Sequence, residues 1–244
     1  QVAKQAAGSP LFAEELARVI AQGRTLATVP TIEAAIQVSL DVLDPDALDA
    51  IVRMSMFGLA GWDKGLAALG VASPASAIDR LLEAEMIVEQ PSRFAGTRQL
   101  RFKHALVRDV SYASASVAMR SELHAKVADW LAEVGDDAAT IAEHYDLGGK
   151  QGLAAAYWEL AARRALAANA LADAMKMADR ALMFADEPIA GFARATLLDE
   201  VYSRLDERSA DRGEAIEAMS EHSHDEACEV RTLGARARYD HARS

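Results

Sequence analysis

Leu100-Arg101-Phe102-Lys103-His104-Ala105-Leu106-Val107-Arg108-Asp109-Val110-Ser111-Tyr112 is the stretch on which the reading of this chain turns. Leu100 and Phe102 alternate with Arg101 and Lys103, the period-two pattern of a short strand with one buried face. The strand runs straight into a helix, and His104 stands at the junction. A histidine at a helix start lies beside backbone N–H groups that have no partner within the helix. Such a position suits contact with a phosphate.

Working outward, Met86 to Glu89 is short and β-prone. The segment Pro91 to Gln99 holds Ser, Gly and Thr and reads as a loop. Two short strands joined by that loop make a hairpin. Helices precede it. Three starts are marked by a capping residue followed by proline: Ser9-Pro10, Asp44-Pro45 and Ser73-Pro74. Proline is tolerated at the first helical position because that N–H has no partner anyway. Apolar faces recur at helical spacing in Phe12, Leu16, Val19 and Ile20, in Ile32, Ile36 and Leu40, in Leu48, Ile51 and Val52, and in Ile78, Leu81 and Leu82. A short helix is expected around Lys64–Leu69. Helices followed by a hairpin are the outline of a winged helix.

Beyond His104, Leu123, Val127, Trp130, Leu131 and Val134 form one clean stripe, broken by Gly135-Asp136-Asp137. From Thr140 every segment reads as helix. Residues 155–188 fit a tetratricopeptide repeat, with Trp158 at the large position, Ala162, Ala174 and Ala181 at small ones, and a proline at the end. Asp173-Ala174-Met175 is echoed by Glu214-Ala215-Ile216, 41 residues on. The usual period is ~34, so later repeats are expected to be degenerate. An array cut at this point should expose an apolar face.

Composition sets the outer limits. The chain has 244 residues, half of them apolar, with sparse Gly and Pro. That supports one large or two modest domains that are mainly helical. The net charge of −11 argues against general affinity for nucleic acid or an anionic membrane. A single cysteine, Cys228, excludes an internal disulfide framework and fits a cytoplasmic setting. No apolar run reaches the ~20 residues of a membrane span. The start at Gln1, inside a helical pattern, reads as part of a longer protein.

Each candidate motif has a plain alternative. Gly8-Ser9-Pro10-Leu11-Phe12 is, by physics alone, an ordinary helix start. His104 taken singly is a structural histidine; its strand-to-helix setting, with Arg101 and Lys103 before it, makes a phosphate contact credible. His222, His224, Glu221 and Cys228 have spacings that suit zinc, but the cysteine is alone in a charged helical end, and no metal site is expected. Trp62, Trp130 and Trp158 read as core anchors. The candidate recognition helix of the winged helix carries Asp79, Arg80, Glu83 and Glu85, net −2. Phosphate would repel that face, so no DNA binding is expected. A Gly-x-x-x-x-Gly-Lys-Ser/Thr loop is absent, as are kinase signatures, and no catalytic residues stand out.

The segment Gly8 to Leu16 resembles the Gly-x-Pro-Leu motif of the lid domain in signal-transducing AAA-type ATPases, the STAND class. Phe102-Lys103-His104-Ala105-Leu106-Val107-Arg108-Asp109 resembles the motif that closes their winged helix. Ser92-Arg93-Phe94-Ala95-Gly96 and Ile141-Ala142-Glu143-His144-Tyr145 resemble the ATPase and tetratricopeptide tail of large bacterial serine/threonine kinases. The resemblance implies a partial lid helix in residues 1–28, a winged-helix domain with flanking helices in 29–137, and truncated tetratricopeptide-like repeats, an α-solenoid, in 138–244. It implies Pro10 against an adenine, with Gly8 in the same motif, and His104 on the β-phosphate of ADP. Where the family carries an acidic residue after the histidine, this chain has Ala105. ATP or ADP with magnesium belongs to the parent protein, whose preceding nucleotide-binding domain is an expected partner. A protein or peptide on the repeats, and self-association through the repeat end, are the others. By this reading the chain is not itself an enzyme. It is the regulatory switch of a signalling ATPase controlling a linked kinase. The alternatives are a protein-binding scaffold, or the same region behind an adenylate cyclase or before a LuxR-type regulator.

Overall fold

In the computed structural model the chain is described at residue 17 and over residues 31–184, 187–206 and 208–244. Gly8, Pro10 and the expected lid helix lie outside the described residues. Two units divide the chain, residues 1–130 and residues 131–244, and each is taken by itself. The protein is mainly helical with one small antiparallel sheet.

Among the described residues, the first full element of the first unit is α1 (Ile32–Asp41), where Thr31 caps the helix by accepting from the Ala34 N–H at 3.2 Å. In α2 (Pro45–Ser55) the Asp44 carboxylate accepts from Asp46 and Ala47, both at 3.1 Å. Proline at the first position and a carboxylate at the cap are the expected pair. Strand β1 (Ala60–Trp62) follows, then α3 (Asp63–Ala68) and α4 (Pro74–Glu83). Ser73 occupies the cap position of α4, but its side chain makes no capping bond; there the proline alone carries the expected signal. Strands β2 (Ile87–Gln90) and β3 (Gln99–Phe102) lead into α5 (Ala105–Ser114) and α6 (Val117–Val134).

The sheet has the order β1-β3-β2, so β3 is central. It pairs Phe102 with Ile87 and Gln99 with Gln90 on one side, and Arg101 with Ala60 and Gln99 with Trp62 on the other. The sequence pattern foretells β2 and β3 but not β1. Ala60-Gly61-Trp62 is too short for alternation to register, and it is a strand because β3 offers it an edge. Beneath the sheet, Ile51, Met54, Leu66, Ile78, Leu100 and Phe102 are buried in a common core.

Against the other end of β1 lies a cluster of rings. Trp62 stands 5.8 Å from Phe57, 5.0 Å from Phe94 and 5.4 Å from Trp130, with the Phe57 and Trp130 rings edge to face at 5.5 Å. Offset and edge-to-face pairs add roughly 0.5–1.5 kcal/mol each beyond burial. Gln99 pins the hairpin loop to this cluster: its Oε1 accepts from the Trp62 indole at 3.2 Å and from the Arg93 amide at 3.0 Å. Gly65, in α3, makes room for the Phe57 ring, because a Cβ there would meet its Cζ at 2.7 Å.

The second unit is a succession of helices: α7 (Ala138–Leu147), α8 (Gln151–Ala167), α9 (Leu171–Leu182), α10 (Pro188–Leu205), α11 (Ala210–Glu221) and α12 (Glu226–Arg243). Each packs on the next. Asp137, Ser209 and Asp225 cap α7, α11 and α12 through side-chain oxygens. Close approach of α8 and α9 rests on alanine: Ala162, Ala174, Ala178 and Ala181 are completely buried. Trp158 is buried, with the Arg180 guanidinium 5.8 Å from its ring centre. Phe192, Ile216, Met219, Cys228, Ala235 and Tyr239 join α10, α11 and α12 in a second cluster. On its outer side α12 exposes Val230 and Leu233. No helix among the described residues is long and apolar enough to cross a membrane.

Trp62 and Trp130 pack edge to face on the Phe57 ring and resist its displacement. Gly65→Ala should therefore destabilise the first unit by about 1–3 kcal/mol. Urea unfolding followed by tryptophan fluorescence checks this; an unchanged midpoint would show that Phe57 can move aside.

Candidate functional site

His104 is set by the strand before it and the helix after it. The Phe102 amide donates to the Leu59 carbonyl and the Lys103 amide to the Met86 carbonyl, each at 3.0 Å. The backbone stays extended at His104 (φ −133°, ψ 135°) and turns helical at Ala105. His104 is thus the N-cap of α5, half-buried, and its own side chain makes no capping bond. The helix macrodipole makes this end favourable for an anion. Ala105 is exposed, so the position after the histidine brings no negative charge.

Arg101 is exposed on β3, and the other neighbouring charges are paired. Lys103 pairs with Glu85 at 3.0 Å. Arg108 donates to the Ser55 carbonyl at 3.2 Å and pairs with Asp109 at 3.1 Å. The Arg108 and Arg120 guanidinium groups lie 4.6 Å and 5.0 Å from the Tyr112 ring centre. Tyr112 shares a 2.9 Å hydrogen bond with His124 Nε2. Burial, reinforced by the positive charge of Arg108 and Arg120, pushes the His124 pKa down to about 4. Sequence inspection placed no role on His124, because its partner Tyr112 is on a different helix.

A cleft of about 500 Å³ opens between α1 and α5, floored by Leu106, Val110 and Ala113 and rimmed by Glu33, Gln37 and Asp109. Its apolar floor and acidic rim disfavour phosphate, and His104 is not among its lining. Of the three nucleotide-contact residues expected from sequence, the structure places His104; Gly8 and Pro10 lie outside the described residues.

The face of α4 has no unopposed positive charge. Arg80 pairs with Asp44, and Arg98 with Glu89 at 2.9 Å and Asp79 at 3.7 Å. The Arg98 guanidinium holds the Glu89 carboxyl below the usual carboxylate range. Arg93 is stacked on Trp62 and Phe94, 5.0 Å and 4.8 Å from their ring centres.

In the second unit a polar groove of about 400 Å³ runs between α10 and α12 over α11. Thr196, Asp199, Glu200 and Ser203 line one side, Arg231 and Arg238 the other, and Arg212 lies at its base; Glu200 pairs with Arg204 at 2.9 Å. Arg212 is 3 % exposed and bonds Asp199 at 2.8 Å. Arg231 and Arg238 form no ion pair among the described residues. Of the residues at zinc-compatible spacing, His224 and Cys228 converge, and Asp225 joins them.

Comparison of the chain with family models, with curated proteins and with solved structures finds no match.

His124 makes stability depend on pH. Its folded-state pKa of about 4 lies below the ordinary value of 6.5, so the unfolded chain binds the extra proton first. The contribution is complete above about pH 6.5 and is lost as pH falls toward 4, by at most about 3 kcal/mol. Thermal melting at steps between pH 7 and pH 4 should show this decline. His124→Gln should flatten it, and equal slopes in both proteins would refute the assignment.

Proposed function

We propose that this chain is the regulatory region of a multidomain signalling ATPase. Residues 29–137 act as a winged-helix domain with flanking helices and residues 138–244 as tetratricopeptide-like repeats. His104 closes, from one side, a nucleotide site whose phosphate-binding loop belongs to a preceding domain. ADP held there favours the off state; its release shifts the parent protein toward the active one. A linked serine/threonine kinase is the proposed effector.

The observation that carries this reading is the seat of His104. It is half-buried at the N-cap of a helix, directly after the central strand. Support also comes from the order helix, strand, helix, helix, strand, strand over residues 45–102, which is that of a winged helix. The ion pairs of Arg80 and Arg98 favour an inert winged helix over a DNA reader. The repeats would serve a protein partner, and the groove with Arg231 and Arg238 gives that partner an acidic character by charge complementarity.

This chain alone lacks a phosphate loop, so calorimetry should detect no low-micromolar binding of ATP or ADP. In the parent protein, His104→Ala should weaken ADP retention by roughly 10–100-fold, as expected for losing about 1–3 kcal/mol of charge-assisted contact, and should raise basal output. Unchanged ADP content with unchanged basal output would remove His104 from the switch.

A mobility-shift assay with duplex DNA at low salt, where electrostatic binding is strongest, should show no complex. A clear shift would favour the transcription-factor reading instead.

A further inference from the structure

We propose that His224, Asp225 and Cys228 form a binding site for a single zinc-class divalent ion, with solvent water as the fourth ligand. The three ligand atoms lie within 4.8 Å of one another. The Cys228 sulfur lies 3.7 Å from His224 Nδ1 and 3.9 Å from Nε2, and Nε2 is 3.8 Å from Asp225 Oδ2. With zinc bonds of about 2.0–2.3 Å to nitrogen, oxygen and sulfur, tetrahedral ligands stand roughly 3.4–3.6 Å apart. The widest separation must close by about 1 Å, which turning the exposed His224 and Asp225 side chains toward Cys228 supplies.

The surroundings direct the correct atom of each residue inward. The His224 Nδ1 lies 3.3 Å from the His222 carbonyl. Donation there leaves Nε2 as the acceptor nitrogen, available to a metal once the ring turns toward Cys228. Metal-bound histidines are characteristically held this way, by a second-nitrogen bond to a backbone carbonyl or carboxylate. Phe192 meets the His224 ring edge to face at 6.1 Å. Asp225 spends Oδ1 on the Cys228 amide at 2.8 Å, which leaves Oδ2 for a metal. Cys228 is 8 % exposed and belongs to the cluster joining α10, α11 and α12, so its sulfur is anchored from behind.

The donor set selects the ion. One thiolate, one imidazole and one carboxylate suit zinc, cobalt or nickel and exclude the all-oxygen preferences of calcium and magnesium. Binding forms the metal–sulfur bond as the Cys228 thiol gives its proton to solvent. His222 stays outside the set, because its ring packs on α10 at Gly191, where a Cβ would meet it at 2.4 Å. The sequence pattern drew His222 and Glu221 into the candidate set and left out Asp225, whose capping role hides its second oxygen. This site is independent of the nucleotide-switch reading.

The test is titration of the reduced chain with Zn²⁺ by calorimetry, and with Co²⁺ by absorption spectroscopy. One equivalent should bind, and cobalt should give a thiolate-to-metal charge-transfer band. Cys228→Ser should abolish that band, and Cys228→Ser and His224→Gln should each weaken zinc binding ~tenfold or more. His222→Gln should leave both readouts unchanged, and circular dichroism checks that every variant is folded. Absence of saturable binding by the folded wild-type chain would overturn the proposal. Binding that survives both ligand variants, or that fails equally in His222→Gln, would overturn it too.

Discussion

Pairing on both edges of β3 is the constraint on which the first unit depends. A strand of four residues, Gln99–Phe102, accepts β2 on one side and β1 on the other. Its two inward residues, Leu100 and Phe102, are 0 % and 2 % exposed, and they meet side chains from the preceding helices in one core. Burying two large apolar side chains stabilises by about 3–6 kcal/mol in all, a large share of a small unit's net stability. Register is equally consequential: a slip by one residue would send Leu100 and Phe102 outward and carry Arg101 into the core. Gln99 secures that register, because its side chain is held by both the Trp62 indole and the Arg93 amide. The place of His104 is therefore a by-product of strand pairing.

Much of this was legible in the sequence. Periodicity gave the helices from Ile32 onward, and proline placement gave the starts of α2 and α4. The break at Gly135-Asp136-Asp137 and the alternation around Leu100 were equally readable. What escaped was set by partners distant in the chain. Strand β1 exists because β3 is there to pair with it, and three residues carry no period. The four-ring cluster unites Phe57, Trp62, Phe94 and Trp130; from sequence, Trp62 and Trp130 were merely apolar anchors. His124 was invisible as a titrating group, because its pKa is set by burial and by arginines from the α5–α6 region.

The candidate site divides the same way. His104 was found by its local setting, and local setting is what the structure preserves: extended backbone at the histidine, helix directly after. The groove between α10 and α12 was beyond sequence reading, since Arg212, Arg231 and Arg238 come from two helices and sum to a site only when those helices pack over α10. The buried Arg212–Asp199 pair is an expensive feature if it serves stability alone, because desolvation offsets much of the attraction. A fixed charge pair at the base of a groove orients what enters it, which accords with the proposed partner-binding role.

The central claim is that His104 meets a phosphate. The most direct measurement is a crystal structure of the parent protein, with its nucleotide-binding domain, in complex with ADP. The account predicts a His104 ring nitrogen within about 3 Å of a β-phosphate oxygen, at hydrogen-bonding distance, with the start of α5 facing the nucleotide. A nucleotide bound with His104 turned away from it, on a face that α5 does not border, would contradict the claim.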